Sequence, residues 1–349
     1  MRQVTLTIDG RKVTVPENYT VLEAAKKLNI NIPTLCYLPD INQIGACRMC
    51  LVEVKGARSL QASCVLPVAE GMEVKTITPQ ILLTRTTILE LILSDHNREC
   101  TTCVRSNNCE LQSLSRQLGI EDIYFKTKLS PSHIDDLSPS IVRDQSKCIL
   151  CRRCIAVCHQ VQGVGVIQAT NRGFHTTVEP AFGLSLNEVA CINCGQCIQA
   201  CPVGALKEKD DTEKVWQALA DPDKHVVVQT APAVRVALGE EFALEPGSIV
   251  TGKMVSALRL LGFDKVFDTN FAADLTIVEE ATEFMHRLQN NGRLPMLTSC
   301  CPGWINFFEH DFNDLMDVPS TCKSPQQMFG TMAKTYFAKK MNIILRTLL

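Results

Sequence analysis

Fifteen cysteines crowded between Cys36 and Cys201, mostly separated by two, three or five residues, limit this chain more than any other feature. Disulfide-dense chains are usually small and secreted, because they lack a core large enough to hold them folded. This chain has 349 residues, 18 of them cysteine, with 46% apolar and 21% charged residues, a globular composition with core to bury. Its N-terminus, Met1-Arg2-Gln3-Val4-Thr5, begins a strand-like alternation and not a secretory signal. Thiols this close together suit a shared metal centre, since two sulfurs from one loop must reach one small group. Metal is therefore the expectation. A net charge of −2 leaves no field to hold nucleic acid, and no run of about 18 apolar residues is present to span a membrane. The expected location is the cytoplasm.

Four regions follow along the chain. In the first, 1–78, Val4, Leu6 and Ile8 alternate, Asp9-Gly10 makes a hairpin turn, and Val13 and Val15 resume the alternation. Thr20-Val21-Leu22-Glu23 is a capping box that starts a helix with Leu22, Ala25 and Leu28 on one face. Hairpin, helix and cysteine-rich loop together resemble the β-grasp fold of plant-type ferredoxins. The second region, 79–125, reads as helical, with Ile81, Leu82, Arg85, Ile88, Leu89 and Ile92 near helical spacing. The third, 126–209, holds two matched cysteine runs, a local repeat. The fourth, 210–349, turns α/β, with a strand at Val226–Val228, a helix around Met254–Leu261 ending at Gly262, and another from about Val278 to Leu288. The expected fold class is α+β multidomain.

The cysteine groups carry the chemistry. Cys36-x10-Cys47-x2-Cys50-x13-Cys64 supplies the four thiolates of a [2Fe–2S] centre, with zinc as the alternative. Its first gap is longer than that of plant ferredoxins. Gly45 and Ala46, just before Cys47, are small enough to let backbone N–H groups approach the sulfurs. His96-x3-Cys100-x2-Cys103-x5-Cys109 could close a [4Fe–4S] cube or a zinc tetrahedron, and spacing alone does not choose. Cys148-x2-Cys151-x2-Cys154-x3-Cys158 and Cys191-x2-Cys194-x2-Cys197-x3-Cys201 are paired bacterial-ferredoxin runs, in which the fourth cysteine ligates the other cluster. The expected sets are Cys148, Cys151 and Cys154 with Cys201, and Cys191, Cys194 and Cys197 with Cys158. The inventory is one [2Fe–2S] and three [4Fe–4S] clusters.

Thr298-Ser299-Cys300-Cys301-Pro302-Gly303-Trp304 resembles the first signature motif of [FeFe]-hydrogenases. The order of the cluster regions is similar to the modular large form of that family. Gln229-Thr230-Ala231-Pro232-Ala233-Val234-Arg235 and Pro325-Gln326-Gln327-Met328 also look like family segments. The resemblance implies that the fourth region is part of an α/β H-cluster domain, the second a small His/Cys3 cluster domain, and the third a two-cluster ferredoxin domain. It implies that Cys301 ligates the [4Fe–4S] part of the H-cluster. Cys300 would exchange protons at the diiron part, Glu280, Ser320, Glu283 and Arg287 would form the proton route, and Ala231, Pro232 and Gln326 would line the pocket. Glu280, Glu283 and Arg287 also share a helical face unaided, where ordinary solvated charge is the simpler reading. Cys322 has no role from the family and is expected to be a buried free thiol.

The family's two later cysteine motifs are absent before Leu349, so the expectation is either a fragment or a subunit that carries electrons without making hydrogen, with an incomplete H-cluster. The implied reaction is 2H⁺ + 2e⁻ ⇌ H₂, coupled to ferredoxin or NAD(P). The cluster regions also resemble the large cluster subunit of NADH:quinone oxidoreductase. That likeness implies flavin/NAD(P)-binding and [2Fe–2S] partner subunits. Two rivals are a non-catalytic electron-transfer subunit of an NAD(P)-dependent complex and a hydrogenase-like assembly factor, which should lack the first cysteine group.

Overall fold

A computed structural model of the chain describes residues 2–125 and 133–343. The expected boundary at residue 126 and the chain after Ile343 lie outside the described residues. Two compact units are present, Met1–Lys209 and Asp210–Leu349.

The first unit opens with the antiparallel hairpin of β1 (Gln3–Ile8) and β2 (Arg11–Pro16), in which Val4 faces Val15 and Leu6 faces Val13. Asp9 and Gly10 both have positive φ (48° and 81°), the turn that matches the twist of paired strands. The helix α1 (Val21–Lys27) follows, then β3 (Leu51–Val54), β4 (Gln61–Ala62) and β5 (Glu73–Lys75). These strands form one sheet in the order β2-β1-β5-β3-β4, with β5 parallel to β1. Val4, Leu6, Ile8, Val21, Leu22, Ala25, Val52 and Val74 fill its core, so the alternation in the strands and the stripe on α1 meet.

The expected helical region resolves into α2 (Pro79–Ser94) and α3 (Glu110–Gln117), with a cysteine-bearing loop between them. Arg85, set among the apolar positions of α2, is buried and donates from Nη2 to the Leu51 carbonyl at 2.7 Å. The third region adds β6 (Ile134–Asp135), β7 (Ile141–Asp144), α4 (Arg153–Ala156), β8 (Gln168–Thr170), β9 (Thr177–Glu179), α5 (Gln196–Ala200) and β10 (Leu206–Glu208). Strands β10, β7 and β6 pair in that order, all antiparallel, and β8 pairs with β9. One core serves α2, α3 and this region. It also takes in Leu35 and Met49, both fully buried, from the loops of the first cysteine group. Buried Asp135 and Arg143 brace it. Burial pushes the Asp135 carboxyl up, but the Ser185 hydroxyl, the Leu186 N–H and Arg143 more than offset this and hold it below the usual range.

The second unit runs α6 (Thr212–Ala220), β11 (Val227–Thr230), α7 (Val234–Glu241), α8 (Thr251–Leu260), β12 (Lys265–Asp268), α9 (Thr269–Gln289), α10 (Pro302–Asp311) and α11 (Pro325–Met332). Strands β11 and β12 are parallel, and Ala272, Phe267, Phe329 and Ala333 form a small core beside them. The helix expected from Val278 begins at Thr269 instead, because the Asp268 side chain accepts from Asn270 N–H and caps it there. Among the described residues no helix is long and apolar enough to cross a membrane.

The capping box at α1 is complete: Thr20 Oγ1 accepts from Glu23 N–H, and Glu23 Oε2 accepts from Thr20 N–H at 2.7 Å. Replacing Thr20 by Ala should lower the stability of the protein by about 1 kcal/mol, read as a lower denaturation midpoint with an unchanged slope. An unchanged midpoint would show that packing alone holds the helix.

Candidate iron–sulfur sites and the Cys300 region

In the first site, Cys36 and Cys47 come from one side of the loop system, and Cys50 and Cys64 from the ends of β3 and β4. The Cys50 and Cys64 sulfurs lie 3.3 Å apart. Backbone N–H groups of Leu35 and Cys36 reach the Cys47 sulfur at 3.4 Å, and Cys47 N–H reaches that of Cys36 at 3.5 Å. Gly45 has φ +60°, and a side chain there would press on Val65 at 3.3 Å. Within the group the Cys36 thiol is pulled down by the Cys47 and Cys64 thiols, and Cys50 by Cys64, while Cys47 and Cys64 are pushed up. Binding metal through these four sulfurs would release their protons.

The paired runs build two cavities. Cys148, Cys151, Cys154 and Cys201 line one, walled by Ile167, Val178 and Val203. Cys158, Cys191, Cys194 and Cys197 line the other, against Ile141, Val166 and Leu186. Each cavity thus has three sulfurs from one run and the fourth from the other. Burial pushes the Cys148 thiol up to about 11 and those of Cys151 and Cys197 to about 12, with neighbouring sulfurs adding to the effect. Backbone geometry repeats between the runs. Leu150 and Asn193, before the second cysteine, and Arg152 and Gly195, after it, all have positive φ, from 54° to 74°.

The fourth group is set by the end of α2 and the start of α3. His96, Cys100 and Cys109 line one cleft, with Leu93, Leu111 and Ile120. Burial drives the His96 imidazole down to about 4, so it is neutral, and its Nδ1 is buried without a hydrogen-bond partner among the described residues. A neutral imidazole with an unused ring nitrogen is what a metal requires. Cys103 is not part of that cleft's lining. Its sulfur lies against Gly204, where an added Cβ would come within 2.5 Å. Yet Cys103 is near enough to Cys109 for their charges to repel. The donor sets therefore fit iron–sulfur clusters: four sulfurs around an apolar cavity, twice, a third close sulfur set, and two thiols beside an imidazole with an unpartnered Nδ1, with Cys103 just outside that cleft. Among the described residues no three His, Cys, Asp or Glu side chains close on a single metal ion.

In the second unit, Cys300 and Cys301 are exposed, and Cys301 directly precedes α10, which has Pro302 in its first turn. A short parallel bridge, Leu297 beside Pro319, lays this motif next to Ser320 and Cys322, and Ser299 Oγ donates to the Cys322 carbonyl. Ser320 Oγ donates to Glu283 Oε2 at 2.7 Å, and Arg287 Nε donates to Glu283 Oε1 at 3.0 Å. Burial raises the Glu283 carboxyl, but Ser320, Arg287 and Thr321 outweigh it and hold it below its ordinary range. So Ser320, Glu283 and Arg287 are brought together. Among the described residues no hydrogen bond joins Glu280 or Cys300 to them. Ala231 and Pro232 sit exposed in the turn from β11 to α7, and Gln229 Nε2 beside them donates to the Gln326 carbonyl at 3.2 Å.

Cys322 departs from expectation. It is half-buried, not buried, in a cleft with Glu279, Glu283, His286 and Lys323, and its thiol is pushed up by burial and by Glu280, Glu279 and Glu283. Sequence reasoning missed this placement, and it also missed Arg85 and Gly204. A lone charge in an apolar stripe and a small residue soon after Cys201-Pro202 were the available signals.

Comparison with known proteins covers both units. Residues 1–79 match a 2Fe-2S iron-sulfur cluster binding domain, and residues 85–123 the NADH-ubiquinone oxidoreductase-G iron-sulfur binding region. Residues 147–205 match a 4Fe-4S dicluster domain, and residues 224–346 the iron only hydrogenase large subunit, C-terminal domain. The NADP-reducing hydrogenase subunit HndD of Solidesulfovibrio fructosivorans is 53% identical over 98% of this chain and 60% of its own length. Iron hydrogenase 1 of Clostridium pasteurianum is 39% identical over 95% of this chain and 58% of its own. Among solved structures, a chain of an NAD⁺-reducing [NiFe]-hydrogenase is 31% identical with a TM-score of 0.56, covering 59% of this chain and 87% of that one. The chain spans about three fifths of the length of the curated relatives it matches. By its cluster-binding regions, its signature motif and these relatives, the chain is a homologue of the modular iron-only hydrogenase large subunits.

Proposed function

We propose that this chain is the electron-carrying and hydrogen-forming subunit of an NAD(P)-linked complex, acting on 2H⁺ + 2e⁻ ⇌ H₂. The observation that carries the reading is the pair of cavities in which each ferredoxin-type run lends its fourth sulfur to the other. On this reading residues 1–78 hold one [2Fe–2S] cluster through Cys36, Cys47, Cys50 and Cys64. Residues 79–125 hold a [4Fe–4S] cluster through His96, Cys100, Cys103 and Cys109. Residues 126–209 hold two more, and 210–349 contribute Cys301 to the hydrogen-forming site. When bound, such clusters supply one-electron steps, with plant-type [2Fe–2S] centres near −400 mV.

The chain's own residues do the rest. Backbone N–H groups of Leu35, Cys36 and Cys47 point at sulfur and favour its negative charge. Apolar walls keep water from the paired cavities. Cys300 exchanges the proton, and Glu280, Ser320 and Glu283 lie along its route, with Arg287, always charged, holding Glu283 in place. Glu283, an ionised acceptor, holds the Ser320 hydroxyl in line, and Arg287 fixes Glu283. A flavin- and NAD(P)-binding subunit, a [2Fe–2S] subunit and ferredoxin are the partners, and the cytoplasm the compartment. A second reading, a subunit that only carries electrons, is favoured by the match of residues 85–123 to the NADH-ubiquinone oxidoreductase-G region and by likeness to an NADH-quinone oxidoreductase subunit of Rhizobium meliloti, 38% identical over 58% of this chain and 24% of its own length. Hydrogen evolution by the matured complex separates the two: dye reduction without hydrogen supports the second.

Three outcomes check the assignment. Anaerobic reconstitution should give about 14 iron atoms per chain, the sum of one two-iron and three four-iron clusters. Iron well below that, or stoichiometric zinc at the His96 group, would overturn the inventory. Gly204→Ala, which pushes on the Cys103 sulfur, and His96→Ala should each remove the EPR signal of one [4Fe–4S] cluster and leave the others. Signals unchanged in both variants would mean that the His96 group holds no cluster. In the hydrogen-evolving complex, Cys300→Ser should lower turnover by roughly 10²–10⁴-fold with iron content unchanged, because a hydroxyl gives up its proton far less readily than a thiol. Full turnover would remove Cys300 from the proton route.

A further inference from the structure

The lengthened gap between Cys36 and Cys47 has a use in the fold. Leu38 and Asn42 exchange backbone hydrogen bonds at 3.0 and 2.9 Å around a turn in which Asp40 has φ +60°. This turn delivers the Asn42 side chain into the interior, where it is 4% exposed. Its Nδ2 donates to the Cys36 carbonyl at 2.8 Å and to the Cys151 carbonyl at 3.1 Å. Both N–H bonds of one amide are thus spent on the backbones of two cysteines that belong to different cluster sites, 109 residues apart for the longer link. We propose that Asn42 is a positioning residue that docks the [2Fe–2S] site on the Cys148/Cys151/Cys154/Cys201 site and sets the direct electron step between them.

The inference rests on the cluster reading above, and three further observations support it. Leu35 and Met49, next to Cys36 and Cys50, lie in the core that surrounds Cys154 and Cys201 and not in the core of their own sheet. Arg153, which lies between Cys151 and Cys154 along the chain, is buried. It is fixed by a two-pronged pair with Glu110, at 2.7 and 2.9 Å. The link from Cys36 through Asn42 to Cys151 is short, two hydrogen bonds through one buried amide. In the step itself one electron leaves one centre, which is oxidised, and enters the other, which is reduced; no proton moves and no bond is made or broken. A plain hydrophobic contact would bury the same surface but leave both carbonyls unpaired. The amide adds register, because it satisfies both carbonyls only when the two loops meet in one geometry.

The test uses the full reconstituted chain with Asn42→Leu, near in size but without donors, and Asn42→Gln, which keeps the donors on a longer arm. Two readouts are taken. Hydrogen exchange of amides 36–47, in both iron-free and reconstituted protein, should speed up by roughly tenfold or more in Asn42→Leu, as expected for two lost hydrogen bonds of about 1 kcal/mol each. In the reduced protein, the fast spin relaxation that a neighbouring paramagnetic centre imposes on the [2Fe–2S] EPR signal should be lost in Asn42→Leu and regained in part in Asn42→Gln. Full iron with unchanged relaxation in Asn42→Leu would overturn the proposal, whatever the exchange does. Wild-type protein that takes up no iron would instead defeat the cluster reading. The exchange of the iron-free variants would then still decide whether Asn42 docks the loops, and unchanged exchange would overturn that as well.

Discussion

Sulfur buried among apolar side chains is the condition on which the first unit depends. A thiol in such surroundings resists ionisation, as the upward shifts at Cys148, Cys151, Cys154 and Cys197 show. Four thiolates cannot share one dry cavity unless positive charge sits among them. On the cluster reading iron would supply that charge, and its binding would add to the folding free energy of these loops. The same logic explains why the polar groups near the sulfurs are backbone N–H donors and why the nearby cations, Arg85 and Arg153, are buried and fixed by hydrogen bonds.

Much of this was legible in the sequence, for a physical reason. Ligands that must reach one small cluster have to be close along the chain, and a doubled Cys-x2-Cys-x2-Cys-x3-Cys spacing can be read without any knowledge of packing. The β1–β2 hairpin and α1 were legible too, since Asp9-Gly10 and the Thr20 capping box are local signals. What lay beyond reach was long-range. Nothing around Asn42 announces that its amide will meet Cys151, and nothing near Gly204 announces Cys103, because these contacts exist only after separate loops pack. The start of α9 was misplaced because its first turns, from Thr269 to Ile277, mix polar and apolar residues without a clear stripe, while the cap at Asp268 acts through one short side chain.

The second unit shows the opposite balance. Its motif was the most specific string in the chain, yet its geometry is built from contacts that no motif describes. A two-strand parallel pair, a short bridge between Leu297 and Pro319, and an ion pair one helical turn apart on α9 bring Ser320, Glu283 and Arg287 into one group. Glu283 and Arg287 would be read from spacing alone as a solvated surface pair of small energetic weight. The serine hydroxyl and the Thr321 N–H turn that pair into a held carboxylate.

The repeated left-handed positions in the paired runs have a consequence for how strictly each loop is specified. The second run places Asn193 and Gly195 there, residues that tolerate positive φ, whereas the first places Leu150 and Arg152. A non-glycine residue in that region costs roughly 1–2 kcal/mol. The second run reaches the shape by residue type, while the first must be held in it by its surroundings. Two loops of one outline thus stand at unequal conformational cost, and the first is the one that a loosened neighbourhood would release.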